Sequence, residues 1–317
     1  MSDSKTEILG GDAKDLAHAA SLLRAGRLVA FPSETVYGLG ADACNDTAVA
    51  RIFAAKQRPS FNPLIVHVAT LEMAKSIAEF SEDAETLARR FWPGPLTLVL
   101  PLRDHTGISP LVSAGLSSIA IRIPAHPVAR ELLAVFDGPV AGPSANPSGK
   151  LSPTQAEHVL EGLAGKIAAV IDAGPCAVGL ESTIVGFGPQ PVLLRPGGVP
   201  IEDVADCLNT PVAPSQPTSD TPNAPGQLAS HYAPNAVLRL NATHPRDGEV
   251  MLGFGNTPCT LNLSESGDLI EASANLFHHL RKLDSGNAQC IAVSPIPDHG
   301  LGLAINDRLK RAAAPRP

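Results

Sequence analysis

Short apolar segments of strand length alternate with stretches of helical spacing through the first two thirds of the 317-residue chain, and this alternation predicts an α/β fold. Two apolar segments, 183–185 and 192–194, are too close together for a helical crossover, so we predict a mixed sheet. Further strands are predicted at 28–31, 64–68, 97–100, 119–123 and 168–171. Helices are predicted at 71–79, 83–91, 126–135 and 154–163, and Asp46 is predicted to cap one more.

The composition changes near residue 209. Residues 209–235 are rich in Pro, Ser, Thr and Asn and contain few large apolar side chains, which is typical of a linker. A second α/β pattern follows, with strands predicted at 237–240, 250–253 and 289–293 and helices at 271–284 and 301–313. The sequence therefore predicts a large domain at 1–208, a linker or lid at 209–235 and a smaller C-terminal α/β domain at 236–317.

The composition also disfavours several classes of protein. The net charge of −7 argues against a protein that grips nucleic acid by charge alone. The polar start lacks the apolar region of a signal peptide, and no apolar run approaches the roughly 18 residues of a membrane span, so we expect a cytoplasmic protein. Five scattered cysteines without a C-x-x-C pair are typical of reduced thiols, and not of a disulfide framework or zinc site.

Polar loops directly follow several predicted strands, which is where open α/β sheets bind ligands. The first, PSETVYGLG at 32–40, projects Ser33, Glu34 and Thr35 before a glycine turn, and it fits a binding site and an ordinary exit from a strand equally well. The chain has no phosphate-loop, Rossmann-glycine or nucleophile-elbow signature. A nucleotide would therefore need another arrangement of binding groups.

Two further loops carry groups that suit an anion. Lys56 and Arg58 come at the end of the helix that starts near residue 46, and together they suit a polyphosphate. Cations also favour helix C-termini, although that preference does not account for Asn62. The loop 143–154 is dense in hydroxyls and amides, and a helix start after it could bind an anion. A capping turn would explain Ser152 and leave the earlier polar groups unexplained.

His67 and Arg122 each lie inside an otherwise apolar strand. A lone histidine in such a strand is more often a core residue than a ligand, so the strand by itself favours a packing role for His67. Alternation places Arg122 on the face opposite the isoleucines of 119–123, where a guanidinium needs an anionic partner or a path to water. The partner can be a bound carboxylate or phosphate, which we favour, or a structural Asp or Glu.

Seven unusual motifs occur in order and with consistent spacing. They are PSETVYGLG (32–40), KxRPxxNP (56–63), WPGPLT (92–97), IRIPxHP (121–127), PSANPSG (143–149), ESTIV (181–185) and LRPG (194–197). Over about residues 10–205 the chain thereby resembles the threonylcarbamoyl-AMP synthases of the YrdC-like family. The HYAP sequence at 231–234 and the extra domain resemble the two-domain form of that family. The resemblance implies a YrdC-like twisted mixed sheet with helices and a smaller Rossmann-like C-terminal domain.

The resemblance also implies an activity. It implies an L-threonylcarbamoyladenylate synthase, a nucleotidyltransferase that joins L-threonine, bicarbonate or CO2, and ATP, and releases pyrophosphate. The product would pass to proteins that transfer the threonylcarbamoyl group to tRNA next to the anticodon. Mg2+ would accompany the ATP phosphates without a ligand from the protein. Such a reaction depends on orientation and charge neutralisation, so we expect no covalent enzyme intermediate.

The resemblance assigns the site residues to three groups. Threonine would contact Thr35, His67, Arg122 and Ser182, with Arg122 binding its carboxylate. ATP would contact Lys56, Arg58, Asn62, Ser118, Ser144, Asn146, Ser152, Arg195 and, from the linker, Tyr232. Four of the ATP-side residues are the expected catalytic ones: Lys56, Arg58, Ser144 and Asn146.

The sequence departs from the pattern of the family at one place, just ahead of the HYAP sequence. Two-domain relatives usually carry a Met and basic or aromatic residues ahead of the HYAP sequence, whereas residues 225–230 read PGQLAS, which puts a phosphate contact from the linker in doubt. One alternative is a carbamoyl-adenylate-forming domain like those of hydrogenase maturation, but those chains are much larger and carry zinc fingers. The other is a double-stranded RNA-binding or ribosome-assembly factor, which the net charge disfavours. Weak binding of tRNA or double-stranded RNA stays open.

Overall fold

The computed structural model describes residues 5–214, 231–286 and 288–315, and two sheets form in that part of the chain. The strands of the larger sheet are β1 (Glu7–Leu9), β2 (Val29–Phe31), β3 (Gly38–Asp42), β4 (Ile65–His67), β5 (Leu96–Pro101), β6 (Ser118–Arg122), β7 (Val140–Ala141), β8 (Ala169–Ile171), β9 (Thr183–Phe187), β10 (Pro191–Arg195) and β11 (Ala213–Pro214). The helices that accompany it are α1 (Ala13–Arg24), α2 (Asp46–Lys56), α3 (Leu71–Ile77), α4 (Glu82–Phe91), α5 (Pro110–Ser113), α6 (Pro127–Phe136), α7 (Ala156–Leu163) and α8 (Ile201–Leu208).

The smaller sheet belongs to the C-terminal part of the chain. Its strands are β12 (Val237–Arg239), β13 (Glu249–Gly253), β14 (Leu261–Asn262) and β15 (Cys290–Val293), and its helices are α9 (Leu269–Ser285) and α10 (Leu301–Ala313). All pairs in this sheet are parallel, in the order β12-β15-β13-β14. The connection from β14 to β15 contains α9, and a parallel sheet packed with helices is the Rossmann-like arrangement that the resemblance implied.

The larger sheet is mixed, as predicted. Its order is β1-β8-β2-β3-β7-β4-β6-β5-β9-β10-β11. The neighbouring β9 and β10 pair antiparallel, because only three residues separate them. Between β4 and β6 the pairing is parallel, and it sets His67 beside Arg122 in register. This register brings together two polar side chains that are 55 positions apart in the sequence.

The predicted cap at Asp46 is wrong, and the capping turn that was left open as an alternative for Ser152 does not form. Asp46 is the first residue of α2 and not its cap, because the side chain of Asn45 accepts from the Ala48 N–H at 3.1 Å. The helix after the polar loop 143–154 starts at Ala156, and no side chain caps it. The hydroxyl of Ser152 instead donates to Glu181.

One apolar core is shared by the two parts of the chain. Val36, Leu151 and Leu180 of the first domain pack into the same cluster as the apolar side chains of α9 and α10. The Ser273 hydroxyl on α9 also donates to the Val178 carbonyl at 2.9 Å. The C-terminal domain is therefore docked directly against residues 178–180, which immediately precede the ESTIV motif.

The linker prediction falls mostly outside the described residues, because the structure describes 209–214 and 231–235 of the predicted segment 209–235. The PGQLAS departure at 225–230 lies outside them as well. Among the helices of the described ranges, none combines the length and the apolar character that crossing a bilayer requires. All five cysteines are free thiols.

Candidate active site

A cavity of about 50 Å³ lies at the carboxyl ends of β4 and β6. Its walls come from the loop after β2, the loop after β7, the ESTIV region, the end of β10, and the HYAP segment, defined here as residues 231–234. One buried water needs roughly 10–15 Å³, so the cavity has room for about four waters. The HYAP segment is the wall that the linker supplies.

The four residues predicted to bind threonine all line this cavity: Thr35, His67, Arg122 and Ser182. They come from four separate segments, and the parallel register of β4 and β6 together with the turn after β2 brings them together. Two of these residues, Thr35 and Ser182, carry hydroxyl groups, and the hydroxyl of Ser182 shares a 2.7 Å hydrogen bond with that of Thr97. Their role toward a ligand stays a prediction.

Arg122 is buried and has a structural carboxylate as its partner. Its Nη2 donates to Glu34 Oε1 at 2.6 Å, its Nη1 donates to Thr35 Oγ1 at 2.9 Å, and its Nε donates to the Gly94 carbonyl at 3.0 Å. The second oxygen of Glu34 accepts the Ala125 N–H at 3.0 Å. Of the two kinds of partner that the sequence left open, a structural Glu is present here, and binding of a ligand carboxylate by Arg122 stays a prediction. Glu34 thereby joins the site residues.

Lys56 is the last residue of α2, and it holds the loop after β7. Its Nζ donates to the Ser144 carbonyl at 2.5 Å and to the Asn146 carbonyl, and its own carbonyl accepts the Ser148 N–H at 2.8 Å. Burial, with a smaller effect from Arg58, lowers the pKa of the Lys56 ammonium well below its usual range. A nearby anion would stabilise the charged form.

Arg58 follows α2 and lines the cavity itself. Its side chain donates to the carbonyls of Asn62 at 3.3 Å and Pro63 at 2.9 Å. Burial and the neighbouring Arg195 lower the pKa of Arg58 to about 10. Two buried cations close together, Arg58 and Arg195, make the cavity electropositive.

Several buried polar atoms around the cavity have no hydrogen-bond partner among the described residues. They are both amide atoms of Asn62, the Oδ1 of Asn146, and the Nδ1 atoms of His67 and His231. A buried polar group without a partner is costly, so each of these atoms calls for a ligand or a water.

Both of those histidines are held in the neutral form. Burial and Arg122 lower the pKa of His67 to about 3. Burial also lowers the pKa of His231 to about 3, with Arg58, Lys56 and Arg308 acting in the same direction and Glu181 opposing them. A neutral imidazole can offer an unprotonated nitrogen as an acceptor or an N–H as a donor.

Glu181 connects the cavity wall to the C-terminal domain. It accepts from the Ser152 hydroxyl and, at 2.8 Å, from the Nε of Arg308 on α10. Burial would raise the pKa of Glu181, but Arg308 and Arg195 outweigh it and hold that pKa at about 2. The carboxylate is therefore charged and fully engaged with arginines.

The predicted ATP residues occupy three positions relative to the cavity. Four of them line it: Arg58, Ser144, Arg195 and Tyr232. Four others lie behind that lining and support it through hydrogen bonds or through contact with Arg58: Lys56, Asn62, Asn146 and Ser152. Ser118 alone lies apart, at the opposite end of β6 from Arg122, about 13 Å away at the usual rise of a strand.

Sequence reasoning named Glu34, Glu181 and His231 within its motifs but did not place them in the site. The signal that could have found the two glutamates is charge balance, because buried arginines need carboxylates. Arg308 lies in no motif that the sequence analysis singled out. Its role depends on docking of α10, which no local pattern reveals.

The side chains of the cavity do not form a metal site of their own. No cluster of three or more His, Cys, Asp or Glu side chains that could hold a metal occurs within the described ranges. The two carboxylates at the cavity, Glu34 and Glu181, are both taken by arginines. The residues present therefore do not fit a protein-held Mg2+.

Comparison with known proteins agrees with this arrangement. A family model described as telomere recombination, Sua5/YciO/YrdC, matches residues 21–197. A second, described as the threonylcarbamoyl-AMP synthase C-terminal domain, matches residues 199–314. Together the two models account for both sheets of the structure.

Individual relatives match over nearly the whole chain. The threonylcarbamoyl-AMP synthase of Pyrococcus abyssi is 42% identical over 94% of this chain and 94% of its own length. The enzyme of that name from Bacillus subtilis is 41% identical over 98% and 96%. The crystal structure of P. abyssi Sua5 complexed with L-threonine superposes with a TM-score of 0.90 at 39% identity, over 97% of this chain and 98% of that one. The chain therefore belongs to the Sua5/YciO/YrdC family and carries the Sua5 type of C-terminal domain.

Proposed function

We propose that this protein is an L-threonylcarbamoyladenylate synthase, which makes threonylcarbamoyl-AMP and pyrophosphate from L-threonine, bicarbonate or CO2, and ATP. The observation that carries the proposal is the meeting of two sets of groups at one cavity. One set, with Arg122 and hydroxyl groups, suits an amino acid. The other set, with buried cations, suits phosphates. The names of the relatives and the threonine-bound Sua5 structure support the same conclusion.

Arg122 is suited to hold the threonine carboxylate. A guanidinium has five N–H donors, and three of those of Arg122 go to Gly94, Thr35 and Glu34. The remaining N–H on each of Nη1 and Nη2 can form the parallel pair of bonds that a carboxylate accepts. Glu34 holds the guanidinium plane in place, so the side chain is oriented before the ligand arrives.

The phosphate side is suited to neutralise charge. Lys56 lies behind the cavity lining and uses two of its three N–H donors on the loop 144–146, so it positions that loop, and its third N–H could reach a phosphate oxygen only past the lining. Arg58 gives two N–H groups to Asn62 and Pro63 and keeps others that can face the cavity it lines. Burial lowers the pKa values of both cations, and a bound polyphosphate would raise those pKa values again and stabilise the charged forms.

The reaction then needs position more than a nucleophile from the protein. The threonine amine adds to the carbon of CO2 and loses a proton to give a carbamate. A carbamate oxygen attacks the α-phosphorus of ATP, the bond between that phosphorus and the oxygen bridging to the β-phosphate breaks, and pyrophosphate leaves. The chain holds the two reactants together, stabilises the charge on pyrophosphate and excludes water from the labile product.

Mg2+ would enter with the ATP phosphates and supply charge neutralisation there, since the site carboxylates are engaged elsewhere. We expect the product to be consumed by proteins that transfer the threonylcarbamoyl group to tRNA. We also expect this to happen in the cytoplasm, where that tRNA is modified. No surface feature described above favours RNA binding as the primary function.

The test is release of pyrophosphate by the purified full chain supplied with ATP and Mg2+. We expect release only when L-threonine and bicarbonate are both present, and strongly reduced release with L-valine, which has the same shape without the hydroxyl. Arg122→Ala should abolish the response, whereas Arg89→Ala, a matched change at an exposed arginine on α4, should not affect it. Pyrophosphate release that ignores threonine would refute the assignment.

A further inference from the structure

Arg308 of α10 is buried at the junction between the C-terminal domain and the cavity wall, with 1% of its surface exposed. Its Nε donates to Glu181 Oε2 at 2.8 Å, and its Nη1 donates to Asp307 Oδ2 at 2.6 Å. Its guanidinium carbon lies 5.1 Å from the centre of the Tyr232 ring. A single side chain of the C-terminal domain thus contacts both the ESTIV region and the HYAP segment.

The HYAP segment depends on the C-terminal domain for most of its support. The Tyr232 ring packs between Arg308 and Phe277 of α9, whose ring centre is 5.6 Å away, and the His231 ring packs edge-on at 4.0 Å. The backbone N–H of His231 also donates to the carbonyl of Arg311 on α10, at 3.3 Å. The 2.8 Å bond from the Ala233 N–H to the Gly149 carbonyl ties the segment's backbone to the loop after β7.

A buried arginine is an expensive way to join two domains. Removing a charge from water costs free energy that an ion pair only partly returns, and apolar side chains of similar volume often stabilise an interface better. The shared apolar core already supplies such packing. The Nη2 of Arg308 even lacks a hydrogen-bond partner among the described residues. Simple adhesion of the domains therefore does not account for this arginine.

The contacts of Arg308 lead directly to the predicted ATP side. Glu181, its partner, also accepts from Ser152 and precedes Ser182, whose carbonyl and hydroxyl both accept from Arg195. Tyr232, its stacking partner, lines the cavity. A change in the position of Arg308 would therefore move both Glu181 and Tyr232, which lie on the nucleotide side of the cavity.

We propose that Arg308 is a positioning residue through which the C-terminal domain holds Tyr232 and Glu181 in their places at the cavity. The expected change in the KM for ATP rests on the proposed function, whereas the expected change in amide exchange of the HYAP segment does not. Arg308 does not line the cavity and takes no part in the chemistry. It acts on ATP binding through Tyr232 and Glu181, and it leaves the threonine side, built around Arg122 and Thr35, unchanged.

The experiment compares Arg308→Met with Arg281→Met in the full chain. Arg281 is the matched control, because it also crosses between the domains, donating to Glu161 at 2.8 Å and to the Leu151 carbonyl at 3.1 Å. It lines a separate cavity with Ala233 and Pro234, and none of its hydrogen bonds or ion pairs among the described residues goes to Tyr232 or Glu181. Three quantities are measured: amide hydrogen exchange at His231 and Ala233, the KM for ATP, and the Kd for threonine.

For Arg308→Met we expect exchange at both amides to accelerate about tenfold or more, and the KM for ATP to rise by a similar factor. The Kd for threonine should change by less than about twofold, and Arg281→Met should alter none of these quantities by more than about twofold. Arg308→Lys, which keeps the charge and loses the planar stack, should give intermediate values and serves in place of the Met variant if that one does not fold.

Unchanged exchange at His231 and Ala233 in a folded Arg308 variant would overturn the inference. Equal effects of the Arg308 and Arg281 variants would also overturn it, because they would reduce Arg308 to a contact that only joins the domains. The exchange measurement needs no turnover. Absence of threonine-dependent pyrophosphate release in the unaltered protein would therefore count against the proposed function alone.

Discussion

Lowering the pH from about 7.5 to about 5.5 should destabilise the folded protein by about 3 kcal/mol through two buried histidines. His67 and His231 are both buried, and their pKa values are lowered to about 3. In the unfolded chain both would titrate near the ordinary value of about 6.5. The unfolded state therefore binds more protons than the folded state in this pH window, and stability must fall as the pH falls.

The magnitude follows from this difference in proton binding. At about pH 5.5 an unfolded histidine with a pKa of about 6.5 is mostly protonated, which stabilises the unfolded state by about 1.4 kcal/mol relative to about pH 7.5. Two such histidines give about 2.7 kcal/mol. His158, whose pKa burial, Arg281 and His278 lower to about 4, acts in the same direction. Carboxylates contribute little here, because unfolded Asp and Glu titrate near about pH 4.

Urea unfolding of the full chain at the two pH values measures the effect. His67→Gln, which removes one titrating group, should reduce the pH dependence by about 1.4 kcal/mol. His105→Asn is the matched control and should leave it unchanged, because His105 is exposed and its left-handed φ of 56° suits Asn. A loss of stability below about 1 kcal/mol between the two pH values would refute the reasoning, since it would mean that the buried histidines accept protons in the folded state.

Three further predictions concern single positions. Arg122→Ala should weaken threonine binding about tenfold or more and ATP binding far less, measured by isothermal titration; equal losses would assign Arg122 a purely structural role. Lys56→Met should lower turnover about a hundredfold while the far-UV circular dichroism stays unchanged, and a collapsed spectrum would favour a packing role. Gly179→Ala should lower the thermal midpoint by several degrees, because its φ is +73° and a Cβ would lie 2.5 Å from the Cα of Ala274 on α9; Gly107→Ala, with φ +74° and open space around it, should have a much smaller effect.

The two sides of the site are held by different parts of the molecule. The threonine side is built on β4, β6 and the turn after β2, which the larger sheet holds in register. Tyr232 of the ATP side belongs to the HYAP segment, which packs on the C-terminal domain through Phe277 and Arg308. We expect a small amino acid to contact the part held by the sheet and the larger nucleotide to contact the HYAP segment as well. Lids over a site commonly protect a labile product from water.

The periodicity of apolar residues was sufficient to predict the helices and strands in which that periodicity is regular. The predicted strands and helices fall within two residues of their observed bounds, and 301–313 coincides with α10. The strand β3, read as part of a polar loop, was missed because GLGAD contains no β-branched or aromatic side chain. Its pairing with β2 and β7 depends on backbone hydrogen bonds that a side-chain pattern does not encode.

The sequence by itself determined the α/β class, the mixed sheet, the family and the side chains that gather at the cavity, because hydrophobic period and ordered motifs are local properties of the chain. The tertiary structure alone decided the partners of those side chains. Arg122 meets Glu34 across 88 positions, and Arg308 meets Glu181 across 127. Such pairings depend on how strands register and how a second domain docks, and the free energy that selects them comes from the packing of the whole molecule.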